Sequence, residues 1–119
     1  FSPHLDVAYP LLRQELGISQ EEFSRKFKGS PVKRTRRRGY LRNIAVALGN
    51  MKDVASVGNL SSALLNDPEP LVRGHCAWAL GEIGGKHAHL ALQQAVEKET
   101  DPYVLQEIQD ALGALPVKD

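Results

Sequence analysis

The segment from Arg25 to Arg42 carries nine Lys or Arg and no Asp or Glu. The whole chain has 15 cations and 14 carboxylates, so its net charge of +1 conceals a division: six cations and all 14 carboxylates lie outside that segment. Positive charge concentrated in this way suits a polyanionic partner. Guanidinium and ammonium groups bind phosphate oxygens through charge-assisted hydrogen bonds. The bland reading of a short run of cations is a solvated helix face. The density here, and the place it occupies, favour a docking site.

That place is the start of a helix. Leu41, Ile44, Ala45 and Leu48 repeat at helical spacing, and Thr35 is a plausible N-cap, which puts Arg36, Arg37 and Arg38 in the first turn. A helix dipole favours Asp or Glu there by about 0.3–1 kcal/mol per charge. A local rule broken by three adjacent arginines points to function. The free N–H groups of a helix N-terminus already attract anions. On an ideal helix Arg38 and Arg42 lie one turn apart on one flank, while Arg36 points elsewhere, as for a grip on a backbone from two sides. The candidate nucleic-acid-binding residues are therefore Lys33, Arg34, Arg36, Arg37, Arg38 and Arg42, with Lys28 and Ser30 as helpers. Six to nine cations would neutralise roughly four to six phosphates. Tyr40, Phe23 and Phe27 have the chemistry to stack on bases, although such residues more often belong to a core.

Other chemistries find no support. His87 and His89 are two apart and face different directions on a helix, and His75 lies in another segment. No carboxylate or thiolate keeps them company at ligand spacing, so no metal site is expected. Cys76 is the single cysteine. It can form no internal disulfide and sits in an alanine-rich helix as a small hydrophobe. No nucleophile elbow or phosphate-binding glycine loop occurs, and carboxylate pairs such as Glu21 and Glu22 read as solvated faces. Arg73 is expected to pair with a carboxylate of a neighbouring unit. No catalytic residue is assigned.

The elements that must position the block follow from an internal repeat. Ala-Leu-Gly occurs at Ala47-Leu48-Gly49, Ala79-Leu80-Gly81 and Ala111-Leu112-Gly113, with a period of 32 both times. Glu69-Pro70-Leu71-Val72 and Asp101-Pro102-Tyr103-Val104 are matching starts, and Leu60, Ala63 and Leu64 align with Leu92, Ala95 and Val96. A fixed period with helix-length halves predicts an all-α solenoid of HEAT-like repeats. Helices are expected at about 36–49, 54–66, 69–83, 87–98 and 102–114. Upstream, Ser19 and Glu22 form a capping box for a short helix that Gly29 stops. Leu11, Leu12 and Leu16 read as one more packing segment. The expected organisation is a helical cap with a basic loop over 1–34, then about two and a half repeats over 35–119, the last ending after its first helix. No membrane span is expected, since no run of about 18 apolar residues exists. Nothing resembles a signal peptide, so the expected location is cytoplasmic. The chain begins with Phe1, which reads as a fragment or a processed form.

Ser19-Gln20-Glu21-Glu22-Phe23, Phe27-Lys28-Gly29-Ser30-Pro31-Val32-Lys33-Arg34, Arg37-Arg38-Gly39-Tyr40-Leu41-Arg42-Asn43 and Ala47-Leu48-Gly49-Asn50 together closely resemble the C-terminal part of the epoxyqueuosine reductase family. Asp67-Pro68-Glu69-Pro70-Leu71-Val72-Arg73 through Ala77-Trp78-Ala79-Leu80-Gly81 is similar to that family's HEAT-like repeats, which also occur in phycobilin lyases. The resemblance implies a tRNA-modifying oxidoreductase of queuosine biosynthesis. Its parent protein would use cobalamin and two 4Fe–4S clusters in an N-terminal region with several cysteines and a catalytic acid. This chain would hold no cofactor itself. It would help to hold the tRNA anticodon stem-loop against its own N-terminal catalytic domain, as a monomer. Two rivals stand beside this reading. One is a protein-interaction module with no RNA role. The other is an enzymatic HEAT domain, which would need convergent catalytic groups that the sequence does not show.

Overall fold

The computed structural model describes residues 12–114, and among these every regular element is helical. Helical residues 12–15 precede α1 (Gln20–Lys26), α2 (Arg36–Asn50), α3 (Val57–Asn66), α4 (Pro70–Ile83), α5 (Lys86–Lys98) and α6 (Pro102–Ala114). Leu11 lies outside the described residues. The Ser19 hydroxyl accepts from the Glu22 backbone N–H at 3.1 Å, and the Glu22 carboxylate accepts from the Ser19 N–H at 2.8 Å, so the capping box forms. Pro70 and Pro102 open α4 and α6, where a missing N–H costs nothing. Two short 3₁₀ turns depart from the expected pattern: Pro31–Thr35 before α2, and Val54–Ser56, which delays the start of α3 to Val57.

α2, α4 and α6 pack side by side as one layer, and α3 and α5 lie against that layer as a second. The repeated Ala-Leu-Gly is the hinge of this stacking. A Cβ at Gly49 would stand 2.7 Å from the Trp78 ring and 3.0 Å from the Ala79 Cα, and one at Gly81 would stand 2.8 Å from the Ala111 Cβ. Each glycine thus receives the alanine of the next first helix, and the layer closes because both residues are small. Two of the motif's leucines, Leu48 and Leu80, are fully buried, and Leu112 packs against the core half-buried. Burying a side chain of this size stabilises the fold by about 1.5–3 kcal/mol. Ile44, Cys76 and Ile108 occupy equivalent positions in successive units, and all three are buried, so Cys76 fills a core slot.

The repeats are also clasped by charge. Arg73 of α4 donates to both carboxylate oxygens of Glu99, at 2.9 and 3.0 Å, and to the Asp67 carbonyl at 2.8 Å. Asp67 is the equivalent of Glu99 one period earlier, and it too receives an arginine, Arg37 of α2. Each of these carboxylates also accepts the backbone N–H two residues on, from Glu69 and Asp101 respectively. A bidentate arginine therefore closes both junctions on equivalent carboxylates, although the arginines themselves are not equivalent: the residue one period before Arg73 is Leu41. At the N-terminal end Leu16, Ile18 and Phe23 join the common core.

Candidate nucleic-acid interface

The chain reaches α2 through two reversals. Gly29, at φ 76°, takes the left-handed turn that ends the α1 segment. The Ser30 hydroxyl then accepts from the Val32 N–H at 3.2 Å and caps the 3₁₀ turn. Thr35 precedes α2 but does not cap it with its side chain; its hydroxyl donates to the Val32 carbonyl at 2.7 Å. Arg36 has φ 63° and ψ 163°, a conformation that costs a non-glycine residue on the order of 1–3 kcal/mol. The first turn of α2 contains no acidic residue.

This path leaves Lys28, Lys33, Arg34, Arg36 and Arg38 exposed and Arg42 half-buried. Among the described residues none of these six forms an ion pair. Arg42 makes one exposed hydrogen bond, from Nε to the Asn43 side-chain oxygen at 3.3 Å. Lys26 is engaged by Glu15 at 2.6 Å.

Arg37 does not belong with them. It is 7% exposed, as is Asp67. Its Nε donates to the Ile18 carbonyl at 2.8 Å, and its two terminal nitrogens donate to the two oxygens of Asp67. Reading three adjacent arginines as one phosphate-binding set is corrected here: the middle residue of the helical triplet faces inward, where the distant Asp67 carboxylate meets it. Tyr40 and the phenylalanines also face inward. The Tyr40 ring lies 5.5 Å from Phe23 and 5.0 Å from Phe27 between centroids, and its hydroxyl donates to Glu15 at 2.6 Å. Burial, and then the Glu15 hydrogen bond and charge, push the Tyr40 phenol well above its usual range. Burial would raise the Glu15 carboxyl, but hydrogen bonds from Lys26 and Tyr40 outweigh it and hold it below the usual value.

The other reactive groups are structural. Burial, with the nearby Asp67 charge, pushes the Cys76 thiol far up, so it stays protonated. Among the described residues no cluster of three His, Cys, Asp or Glu converges. With one buried thiol and no such cluster, these residues do not fit an iron–sulfur centre. No described helix is long and apolar enough to cross a membrane.

Sequence reasoning overlooked a second feature of the same layer. Val46 and Asn50 of α2, Gly74, His75 and Trp78 of α4, and Tyr103 and Glu107 of α6 line a groove of about 300 Å³. The period of 32 already held the signal, because Val46 with Trp78, and His75 with Glu107, are equivalent positions on neighbouring helices.

A family model for HEAT repeats matches residues 36–113. An epoxyqueuosine reductase of Bacillus cereus is 34% identical over 116 residues, which are 98% of this chain and 30% of that protein. An epoxyqueuosine reductase structure from Bacillus subtilis matches with a TM-score of 0.81 at 33% identity, covering 88% of this chain and 28% of the other. A crystal structure of epoxyqueuosine reductase with an epoxyqueuosine-modified tRNA-Tyr stem loop matches with a TM-score of 0.82 at 34% identity, covering 92% of this chain and 29% of the other. The chain spans about 30% of the length of the curated relatives it matches. The resemblance and the all-α repeat fold read from the sequence both hold.

Proposed function

The chain belongs to the HEAT-repeat family, and we propose that it is the RNA-holding domain of an epoxyqueuosine reductase. In this reading residues 1–34 cap the solenoid and 35–119 form the repeats. Lys28, Lys33, Arg34, Arg36, Arg38 and Arg42 grip the backbone of a tRNA anticodon stem-loop, with the Ser30 hydroxyl as an additional donor. Arg37 instead fixes the helix that carries them. The observation that carries the reading is the set of six cations around the start of α2 with no ion-pair partner among the described residues. The similar enzyme bound to a tRNA stem loop supports it.

Contacts from Arg and Lys to phosphate position a nucleic acid and carry no base information. Choice among tRNAs then falls to the anticodon loop and to the partner catalytic region. The reductive chemistry, with its cobalamin and two 4Fe–4S clusters, belongs to that region of a monomeric, cytoplasmic parent protein, and no step of it is assigned to these residues.

The test is fluorescence anisotropy of a labelled anticodon stem-loop across a salt series. Four to six phosphate contacts give a log–log slope of about −3 to −5. Changing Arg34, Arg36 and Arg38 together to Ala should flatten it by about 2–3, because three phosphate contacts are lost. Equal slopes for parent and variant, or no binding at low salt, would refute the reading and favour an interaction module that docks a protein.

A further inference from the structure

The basic block ends where the groove across the first-helix layer begins. Arg38, Arg42, Val46 and Asn50 follow one another at four-residue intervals along α2, about 6 Å per step. Arg38 and Arg42 present charge; Val46 and Asn50 line the groove. Burial, and then the carboxylates of Glu107 and Asp101, push the Tyr103 phenol above its usual value, and the positive charge of Arg42 pulls it back. Arg42 is thus close enough to act on the aromatic wall of the groove.

That wall is held in place although it faces water. Tyr103 is 39% exposed. Its ring lies so close to α4 that a Cβ on Gly74 would come within 2.3 Å of it. Its hydroxyl is 3.0 Å from Nδ1 of His75, and its backbone N–H donates to Asp101 Oδ1 at 2.9 Å. A rigid, exposed aromatic loses little conformational freedom when a flat ring settles on it, and base–aromatic stacking is tolerant of sequence. Trp78 supplies a second aromatic surface. Asn50 and Glu107 supply an amide and a carboxylate that suit the donors and acceptors of a base edge.

Resting on the RNA-holding reading, we propose that this groove receives one unpaired nucleobase of the strand whose backbone Arg38 and Arg42 hold. The base stacks on Tyr103 and Trp78, and its edge meets Asn50 or Glu107. The groove's own lining holds no Lys or Arg and one carboxylate, Glu107; the charge that favours RNA is that of Arg38 and Arg42, two turns and one turn before Val46 on the same helix. The other exposed apolar residues, Val54 and Leu90, border a groove of the second-helix layer that no residue of α2 lines.

Trp78 is the single tryptophan, so its emission reports occupancy directly. Two RNAs of the same stem sequence are compared, one closed by an unpaired loop and one fully duplex. Binding is read by anisotropy and the groove by Trp78 emission. The loop RNA should quench Trp78 at saturation and the duplex should not. Tyr103→Leu should weaken loop RNA about tenfold and leave duplex affinity unchanged. Asn50→Ala, at an exposed position that does not threaten folding, should weaken loop RNA a few-fold. Salt-dependent binding of loop RNA without quenching, or equal quenching by duplex, overturns the groove and leaves the RNA-holding reading standing. Unchanged affinity for loop RNA in both variants does the same. No binding of either RNA overturns both.

Discussion

Replacing Arg37 with alanine should damage the fold and leave the grip on RNA intact, whereas the same change at Arg38 should do the reverse. Arg37 is buried, and its guanidinium serves both oxygens of Asp67 and the carbonyl of Ile18. Removing it strands a buried carboxylate whose other partner is the Glu69 N–H. Loss of one member of a buried pair costs about 3–5 kcal/mol. At roughly 2.1 cal/mol/K per residue, unfolding 119 residues carries an entropy near 0.25 kcal/mol/K, so each kcal/mol moves Tm by about 4 °C. Arg37→Ala should therefore melt about 12–20 °C below the parent. Arg38 is exposed, and its truncation should stay within about 0.5 kcal/mol, or about 2 °C. Circular dichroism melts read this first half. For the second, the anisotropy salt series is run well below both melting temperatures. Arg38→Ala should flatten the slope by about one phosphate contact, and Arg37→Ala should leave it unchanged. Adding Asp67→Ala to Arg37→Ala should recover part of the loss, because the stranded charge goes with it. If Arg37→Ala melts within about 2–3 °C (roughly 0.5 kcal/mol) of the parent and flattens the slope, the side chain faces outward and the reasoning is wrong.

Two of the three repeated glycines, Gly81 and Gly113, should respond with opposite signs. Gly81→Ala drives a methyl to 2.8 Å from the Ala111 Cβ and 3.1 Å from its Cα and should cost about 1–2 kcal/mol despite alanine's better helix propensity; Gly113→Ala, with no atom within 4 Å among the described residues, should gain up to about 1 kcal/mol, and denaturant melts separate the two. Arg73→Ala removes both contacts to Glu99 and should lower stability by about 2–3 kcal/mol, while Arg73→Lys should restore only part of it because one ammonium cannot span both oxygens. Acid should weaken the fold. In Glu99, as in Glu15, burial is the largest single influence and raises the carboxyl, but the opposing contacts together, for Glu99 the hydrogen bonds from Arg73 and from the Asp101 and Thr100 N–H groups with the Arg73 charge, hold it below its usual 4.5. A carboxyl depressed in the folded state contributes stability above the unfolded value and loses it as pH falls through the folded one. Unfolding free energy should thus be level above about pH 5 and fall below about 4.5, with a shallower fall in Glu99→Gln; a decline that begins at neutral pH would refute this.

The period of 32 was legible without coordinates because stacked helices must alternate small residues at the same height, and Gly49 against Ala79 and Gly81 against Ala111 meet that demand. The Ser19–Glu22 capping box was legible because its donors and acceptors lie within one turn of chain. The expectation that Arg73 would find a carboxylate in a neighbouring unit also held, at Glu99. The density of cations in residues 25–42 is a property of composition alone. Charge density does not tell Arg37 from Arg36 and Arg38. The helical spacing does, since Arg37 lies four residues before Leu41 and seven before Ile44 on the buried face, but it does not say what partner a buried arginine would find. Only the folded chain brings Asp67, 30 residues on, and the Ile18 carbonyl, 19 residues back, to the middle arginine. The same holds for the aromatics. Tyr40 sits beside the cations in sequence yet packs inward on Phe23 and Phe27. Tyr103, far beyond Arg42 in the chain, comes within reach of its charge. Capping, helical period and composition act over one to four residues and are written in the chain itself. Which partner a charge or ring meets depends on the helices that close around it, and that is decided only when the layers pack.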